Sequence, residues 1–333
     1  MQQGSGCRDL RFFTDVLEEG LREHYGRSVE IVDVQVRPLA TSSHPIERLT
    51  VTLASGERIP VIFKRPQPGE KLYGNEREVL IYRSLLKGGR FGAPVLYASV
   101  YDSHRGAYGL FLEDLGNTTL DAGGMRSWTA AVRWLGEVHA AYLGREDELR
   151  ALGCLMEHDA GYYAMVKHTA RSNLELASAG DAIGRFDDLM RPFDALVAYL
   201  TRQPRTLVHG DMFADNIIIQ PGRRIRAVDW ESAAIGLGAW DLARLLDGWG
   251  SRGEPLRSAY LAELEQRVPG FARLEFDRVF ADCKILNVLW HLRWSVDACQ
   301  DAPFVESELD ELEALWKDWS EERAMAEGLG CAP

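Results

Sequence analysis

The stretch from Leu207 to Asp229, LVHGDMFADNIIIQPGRRIRAVD, is the part of the sequence that most directly decides the fold. Two short apolar runs, 217–219 and 227–228, flank a Pro221-Gly222 turn that is followed by basic residues. Apolar runs separated by such a turn are typical of a β-hairpin. Polar residues precede the first run and follow the second. The sequence therefore predicts a small hairpin whose open end gathers oxygen-bearing side chains.

The polar residues at this open end have the spacing of a magnesium and phosphate-transfer site. Mg²⁺ usually takes one or two protein oxygen ligands and completes its shell with water and phosphate oxygens. We therefore predict Asn216 and Asp229 as metal ligands. Asp211 lies five residues before Asn216, as the catalytic Asp and Asn do in kinases, so it is the predicted acceptor of a hydroxyl proton. His209 is expected to orient the loop, and Glu231 to contact the metal indirectly or to serve as a structural acceptor.

The motifs HGDMFADN at 209–216, VDWE at 228–231 and WDLARLL from Trp240 resemble those of the aminoglycoside phosphotransferase and choline kinase-like family, relatives of the protein kinases. The resemblance covers roughly residues 29–250. It implies ATP, Mg²⁺ and transfer of the γ-phosphate to a hydroxyl of a small molecule. It also implies that Asp241 caps its helix and braces the catalytic loop.

The resemblance implies a protein-kinase-like, two-lobed α+β fold. A small N-terminal lobe, 1–115, would surround an antiparallel five-stranded sheet, and a connection near 112–117 would lead to a larger, mainly helical C-terminal lobe, 116–333. The second lobe would contain the catalytic loop, 207–231, and the acceptor site. Apolar residues at helical spacing predict, besides a helix after Asn75, helices over 9–25, 126–143, 186–201, 254–267, 275–299 and 306–325.

The predicted first lobe supplies the residues expected to bind the phosphates. In the strand RIPVIFK, Lys64 alternates with Phe63 and so lies on the opposite face. An ammonium flanked by apolar strand residues needs a counter-ion, and the following helix offers Glu76 and Glu78, of which Glu78 fits the helical pattern better. The family resemblance implies that a Lys64–Glu78 ion pair aligns the α- and β-phosphates.

Further nucleotide contacts are expected from a loop and from the hinge. The loop PLATSSHP between the first two predicted strands lacks glycine, so Ser42 and Ser43 would offer hydroxyls and backbone N–H groups to the phosphates. An ordinary polar turn is the alternative. Backbone groups at Glu113 and Leu115 are expected to bind the adenine edge, and Ile218 is expected to form the floor of the adenine pocket.

The amino-acid composition indicates the class of protein, its location and the partners that it excludes. The chain has 333 residues, 46% of them apolar and 26% charged, as in globular proteins. It has no N-terminal apolar run and no 18-residue apolar stretch, which predicts a cytoplasmic protein without membrane contact. The five cysteines include no Cys-x-x-Cys pair and thus argue against a disulfide framework or zinc site. The net charge of −12 argues against nucleic acid as a partner.

The charge distribution predicts an acceptor with an amine group. Residues 301–333 contain ten acids and two bases, and Asp181, Asp187 and Asp188 add to the acids of the helical lobe. A negatively lined cleft would concentrate an aminoglycoside or another cationic metabolite. Two alternatives stay open: a solvated acidic helix with a neutral acceptor on the tryptophan-rich helix, and a kinase-like module that binds a nucleotide or metabolite without transfer. Protein-kinase activity is disfavoured because no activation segment separates Asp229 from Trp240.

Overall fold

The computed structural model describes residues 6–39, 46–65, 77–102, 107–177, 179–294 and 296–328. The α-helices are α1 (Gly6–Tyr25), α2 (Arg77–Ser84), α3 (Met125–Ala140), α4 (Glu146–Arg150), α5 (Ala160–Leu176), α6 (Asp181–Leu189), α7 (Phe193–Leu200), α8 (Gly238–Leu245), α9 (Glu254–Arg267), α10 (Arg273–Trp294), α11 (Val296–Cys299) and α12 (Ala302–Gly328). The β-strands are β1 (Ile31–Leu39), β2 (Ile46–Leu53), β3 (Arg58–Lys64), β4 (Leu96–Asp102), β5 (Ala107–Glu113), β6 (Met156–Glu157), β7 (Thr206–Val208), β8 (Ile217–Gln220), β9 (Arg224–Ala227) and β10 (Ala234–Gly236).

The chain forms two compact units, which are described separately. Unit 1 comprises Met1–Ser127 and Asp215–Glu231, and unit 2 comprises Trp128–Ala214 and Ser232–Pro333. The β8–β9 hairpin therefore groups with the N-terminal residues, although residues 128–214 lie between them in the sequence. The lobe boundary predicted at residue 115 stays a prediction.

Unit 1 contains the predicted antiparallel five-stranded sheet, in the order β1-β2-β3-β5-β4. Alternate residues of its strands form the core, as the period-two pattern predicts: Val61 is fully buried, and Phe63 stacks on Phe111 at 4.3 Å between ring centroids. Helix α1 covers this face with Leu17 and Leu21. The predicted α+β fold with an antiparallel five-stranded sheet is confirmed.

Helix α1 approaches strand β4 unusually closely at Gly20. A Cβ atom at this position would lie 2.2 Å from the carbonyl oxygen of Tyr97, much closer than any non-bonded contact. Glycine is therefore required here for packing, and it fixes how near the helix lies to the sheet. The helix ends where predicted, at Gly26, whose positive φ of 61° and N–H bond to Arg22 form the C-terminal cap.

The hairpin of unit 1 forms as the sequence predicts. Strands β8 and β9 are antiparallel, with Ile217 opposite Ala227 and Gln220 opposite Arg224. Gly222 adopts a positive φ of 77° in the connecting turn. The backbone N–H of Ile219 also donates to the carbonyl of Thr118 at 2.8 Å, which ties the hairpin to the rest of unit 1.

Unit 2 is mainly helical, with a small sheet in the order β6-β10-β7. Helix α10 is its centre: Cys283, Leu286 and Leu289 are fully buried, and α5, α8 and α12 pack against it. No helix among the described residues is both long and apolar enough to cross a membrane. The cysteines described here, Cys154, Cys283 and Cys299, are buried free thiols.

In unit 2, one helix prediction is wrong and one helix was not predicted. The single helix predicted over 186–201 is two helices, because α6 ends at Leu189 and α7 begins at Phe193. Pro192 lies just before α7; it lacks a backbone N–H and cannot continue the hydrogen-bonding of a preceding helix. Helix α5, Ala160–Leu176, was not predicted, although Asp159 caps it by accepting a hydrogen bond from the N–H of Tyr162.

Candidate active site

The open end of the hairpin brings the two predicted metal ligands to adjacent strand ends within unit 1. Asn216 immediately precedes β8, and Asp229 follows β9 by two residues. The N–H of Val228 donates to the carbonyl of Asn216 at 2.9 Å, which extends the ladder by one step. Asp229 adopts a positive φ of 63°, a conformation that Asp tolerates better than most residues. The chain thus turns sharply at the residue whose carboxylate reaches Lys64.

A buried ammonium surrounded by carboxylates is the main electrostatic feature of unit 1. Lys64, at the end of β3, is 4% exposed, and its Nζ lies 3.1 Å from Oε1 of Glu78 and 2.8 Å from Oε2 of Glu231. It also donates to Oδ1 of Asp229. Burial disfavours the charged ammonium, but attraction by Asp229, Glu78 and Glu231 outweighs it and raises the pKa of Lys64 above its ordinary value.

The predicted Lys64–Glu78 contact is present, and the helix geometry supports it. Glu78 lies in the first turn of α2 and is 5% exposed. A carboxylate at this end of a helix is stabilised by the helix dipole. The preceding residue, Arg77, donates to the backbone carbonyl of Glu231, so α2 also fixes the segment that follows the hairpin. Glu231 contacts Lys64 directly, a contact the sequence left undecided.

The carboxylates of this cluster fit a divalent cation. One oxygen each from Glu78, Asp229 and Glu231 lies within 4.8 Å of the others, and hard oxygen donors are what Mg²⁺ prefers. The side chain of Glu78 is 6% exposed, whereas those of Asp229 and Glu231 are 35% and 23% exposed. Asp229 and Glu231 are thus the carboxylates that a metal ion from solvent can reach. The buried Glu78 instead forms an ion pair with Lys64.

Two arginines contact the carboxylates at the predicted hinge. Glu113 accepts from Nη2 of Arg226 at 2.7 Å and from the N–H of Val95 at 3.2 Å. Asp114 pairs with Nε of Arg48 at 2.6 Å. Both carboxylates are therefore engaged by the protein, and the binding of adenine by backbone groups at Glu113 and Leu115 stays a prediction.

The remaining predicted nucleotide contacts are partly described. Leu115 is buried, and its carbonyl accepts from Nε2 of Gln220 at 3.4 Å. Ile218 is 6% exposed and forms an isolated bridge with Thr119. Ser42 and Ser43 lie outside the described residues, so the predicted role of their loop stays a prediction.

In unit 2, helix α8 fixes the backbone that leads into Asp211. The buried carboxylate of Asp241 accepts from the N–H of His209 at 2.6 Å and from the N–H of Gly210 at 3.1 Å. Although burial opposes ionisation, bonds from His139 and from the His209 backbone lower the pKa of Asp241. Asp241 thus contacts the loop as the resemblance implies. The expectation that it also caps its helix is wrong, because α8 begins at Gly238, its N-cap is Leu237, and no side chain of the described residues caps it.

Gly210 is held from the other side by a residue that the sequence reading missed. Arg244, one turn after Asp241 on α8, donates through Nη1 to the carbonyl of Gly210. Its Nη2 lies 3.6 Å from Oδ1 of Asp211. Residues three apart on a helix share a face, so the helix prediction and the resemblance at Asp241 together could have located Arg244.

Arg244 lies among aromatic rings. Its Cζ is 3.8 Å from the ring centroid of Trp290, 4.8 Å from that of Phe213 and 5.6 Å from that of Trp240. Burial outweighs the attraction of Asp211 and lowers the pKa of Arg244 to about 10. The tryptophan-rich helix, considered above as a surface for a neutral acceptor, therefore binds a guanidinium of the chain itself.

The fold and these two sets of residues define a kinase-like phosphotransferase that acts on small molecules. Residues 43–276 match the phosphotransferase enzyme family, and the chain belongs to that family. None of the curated protein sequences compared with the chain matches it significantly.

Solved structures share the fold at low sequence identity. Plasmodium vivax ethanolamine kinase is 14% identical, with a TM-score of 0.62 over 84% of this chain and 81% of that one. Choline kinase LicA from Streptococcus pneumoniae is 16% identical, with a TM-score of 0.58 over 92% and 99%. The GDP complex of an aminoglycoside 2'-phosphotransferase-IIIa variant is 14% identical, with a TM-score of 0.59 over 93% and 98%. These similarities confirm the kinase-like fold.

Proposed function

We propose that this protein transfers the γ-phosphate of ATP to a hydroxyl of a small molecule with the help of Mg²⁺. The observation that carries the proposal is the buried Lys64 ammonium in contact with Glu78, Asp229 and Glu231. The three carboxylates around Lys64 stabilise positive charge at this site. Such a site suits a metal-bound polyphosphate, whose negative charge needs both a metal ion and an ammonium.

The residues of unit 1 have separate roles in this proposal. Asp229, with Asn216 and Glu231, would hold Mg²⁺, which when bound neutralises charge on the phosphate oxygens. Lys64, oriented by Glu78, binds the α- and β-phosphates. The backbone at Glu113 and Leu115, together with the side chain of Ile218, binds adenine.

Asp211 of unit 2 accepts the proton of the acceptor hydroxyl. The bonds from Asp241 and Arg244 to Gly210 support this role, because they fix the backbone immediately before the carboxylate. The attacking oxygen forms a bond to the γ-phosphorus as the bond to the β–γ bridging oxygen breaks, and ADP leaves. A base held in a fixed position typically contributes about 10²–10⁴-fold to such a step.

An amine-bearing acceptor, such as an aminoglycoside, is one candidate. Similar structures named for ethanolamine, choline and aminoglycosides support it. The acidity of residues 301–333 also favours an amine-bearing acceptor. Three of those acids, Glu306, Asp310 and Glu313, pair with Arg185, which leaves less of that charge for a ligand.

The test is a screen in which purified protein and Mg-ATP are offered hydroxyl compounds, and both ADP and the mass of the product are measured. Phosphorylated product formed in step with ADP supports the proposal. Tight nucleotide binding without product from any compound would favour the non-catalytic module. GTP should be compared with ATP, because one similar structure is a GDP complex.

A further inference from the structure

We propose that the acceptor of this site carries a carboxylate near the hydroxyl that is phosphorylated, and that Arg244 binds this carboxylate while the guanidinium of Arg293 adds positive charge nearby. The inference rests on the proposed function, because it assigns the acceptor of that same reaction. It differs from the amine-bearing candidate in the sign of the charge that is recognised.

Arg244 has donors that the described part of the chain does not use. Arg244 is 3% exposed. Among the described residues, only its Nη1 has a hydrogen-bond acceptor, which is the carbonyl oxygen of Gly210. Its Nε and Nη2 have no hydrogen-bond acceptor among the described residues. The separation of 3.6 Å between Nη2 and Asp211 is too long for a hydrogen bond. Buried charged donors are costly to leave unsatisfied, so an acceptor atom from a ligand is a physical explanation.

A second guanidinium lies on the same indole. Cζ of Arg293, on α10, is 4.0 Å from the ring centroid of Trp290, and that of Arg244 is 3.8 Å from it. Nη1 of Arg293 is also buried and has no acceptor in the described part of the chain. Two positive groups from separate helices thus lie on one aromatic ring, each with unused donors.

The charge balance favours an anionic ligand. Asp211 is the carboxylate nearest Arg244, whereas Asp241 is bonded to backbone N–H groups of the loop. A carboxylate from the acceptor would balance the second guanidinium. A cationic acceptor would instead add a third positive charge and leave the buried donors without partners.

The distance between Asp211 and Arg244 allows one small molecule to reach both. Nη2 of Arg244 is 3.6 Å from Oδ1 of Asp211, so a hydroxyl on Asp211 and a carboxylate on Arg244 can belong to the same short molecule. Of the described rings around Arg244, Phe213 is partly exposed, whereas Trp240 and Trp290 are buried. The substrate class is therefore a small hydroxy acid.

The experiment compares acceptors that share a skeleton and differ in charge: glycerate, glyceramide and 3-aminopropane-1,2-diol, with serine and serinamide as a second pair. We expect kcat/KM to be about tenfold or more higher for each acid than for its amide, as for a charge-assisted hydrogen bond, and lowest for the amine. Arg293→Gln should lower the value for the acid toward that for the amide and change the amide little. Arg185→Gln, which removes a positive charge elsewhere in unit 2, should leave the ratio unchanged.

Arg244→Lys separates recognition from loop support. A structural role alone predicts equal losses on acid and amide, and that result would overturn the assignment. A larger loss on the acid supports it. Equal use of amides or amines by the wild type, or binding of Mg-ATP without turnover of any hydroxy acid, also overturns the inference while the proposed function stands. A protein that does not bind Mg-ATP at all overturns both.

Discussion

Lys64 shows at the scale of one residue why the site of unit 1 needs a positive charge. Its ammonium is in contact with Glu78, Asp229 and Glu231, and each ion pair offsets repulsion among the carboxylates. Buried charges are stable only when they are paired, so the lysine and the acids depend on one another.

Replacing Lys64 by methionine should leave the carboxylates without their counter-ion. We expect the melting temperature to fall in metal-free buffer, and MgCl₂ to raise it more in Lys64→Met than in the wild type. Differential scanning calorimetry with and without Mg²⁺ measures this. Lys87→Met, at an exposed lysine of unit 1, is the control. An identical Mg²⁺ effect in all three proteins would mean that the carboxylates do not bind the ion.

In the proposed reaction, Asp211 acts on the acceptor and not on the nucleotide. Asp211→Ala should lower kcat by about 10²-fold or more, the usual effect of losing a general base, while the Kd of Mg-ATP stays nearly the same. Asp215→Asn, at an exposed aspartate of the same loop, is the matched control. Wild-type turnover by Asp211→Ala on a verified acceptor would show that the role is wrong.

At the scale of elements, helix α8 holds the catalytic loop from two sides. Asp241 accepts from the N–H of Gly210, and Arg244 donates to its carbonyl. Gly210 has a φ of 78°, and a Cβ there would lie 2.1 Å from the carbonyl oxygen of Ser232. The loop therefore depends on glycine for both conformation and space.

Gly210→Ala should thus cost more than the strain of positive φ alone, which is about 1–2 kcal/mol. We expect a lower free energy of unfolding and a reduced kcat. The control is Gly144→Ala, since Gly144 has a φ of 71° but open space at its Cβ. Similar losses in both variants, measured by urea unfolding, would show that contact with Ser232 has no effect.

A histidine of α10 links α12 to the segment that follows α8 in unit 2. Nε2 of His291 lies 3.3 Å from Oδ2 of Asp247, and its Nδ1 lies 3.0 Å from Oε2 of Glu308. Burial disfavours the imidazolium, but hydrogen bonds to Asp247 and Glu308 outweigh it and raise the pKa to about 10 from 6.5. The folded protein therefore binds a proton at pH values where the unfolded chain has lost it.

This raised pKa predicts how stability depends on pH. The contribution of His291 is complete below about pH 6.5 and is lost as the pH rises to about 10, because the folded state binds the extra proton in that interval. The difference in unfolding free energy between wild type and His291→Gln should shrink over this range. Urea titrations at several pH values measure it, and a constant difference would contradict the assignment.

Across the whole molecule, the structural features that depend on local sequence pattern could be predicted. The hairpin at 217–227 and the Lys64–Glu78 pair follow from alternation, turn residues and the need to pair a buried charge. Pro192 indicates the break between α6 and α7, whereas helical spacing alone predicts one continuous helix.

Contacts between residues far apart in the sequence could not be predicted from local pattern. Arg244 approaches Asp211 across 33 residues, and its partners Trp290 and Phe213 come from further elements. Nothing in the local sequence indicates that an arginine in an apolar helix will be buried among rings. The charge of residues 301–333 was predictable, but its pairing with Arg185 of α6 was not, because it depends on how α12 packs.

Asp229→Asn tests most directly whether the open end of the hairpin, together with Lys64, binds a magnesium-nucleotide. Calorimetry should measure the Kd of a non-hydrolysable ATP analogue for wild type and variant, each with and without Mg²⁺. We predict that Mg²⁺ strengthens binding to the wild type, that the variant loses most of this gain, about tenfold or more for one charged ligand, and that metal-free binding changes little. Equal losses with and without Mg²⁺, or a Mg²⁺ effect that survives the substitution, would contradict the account.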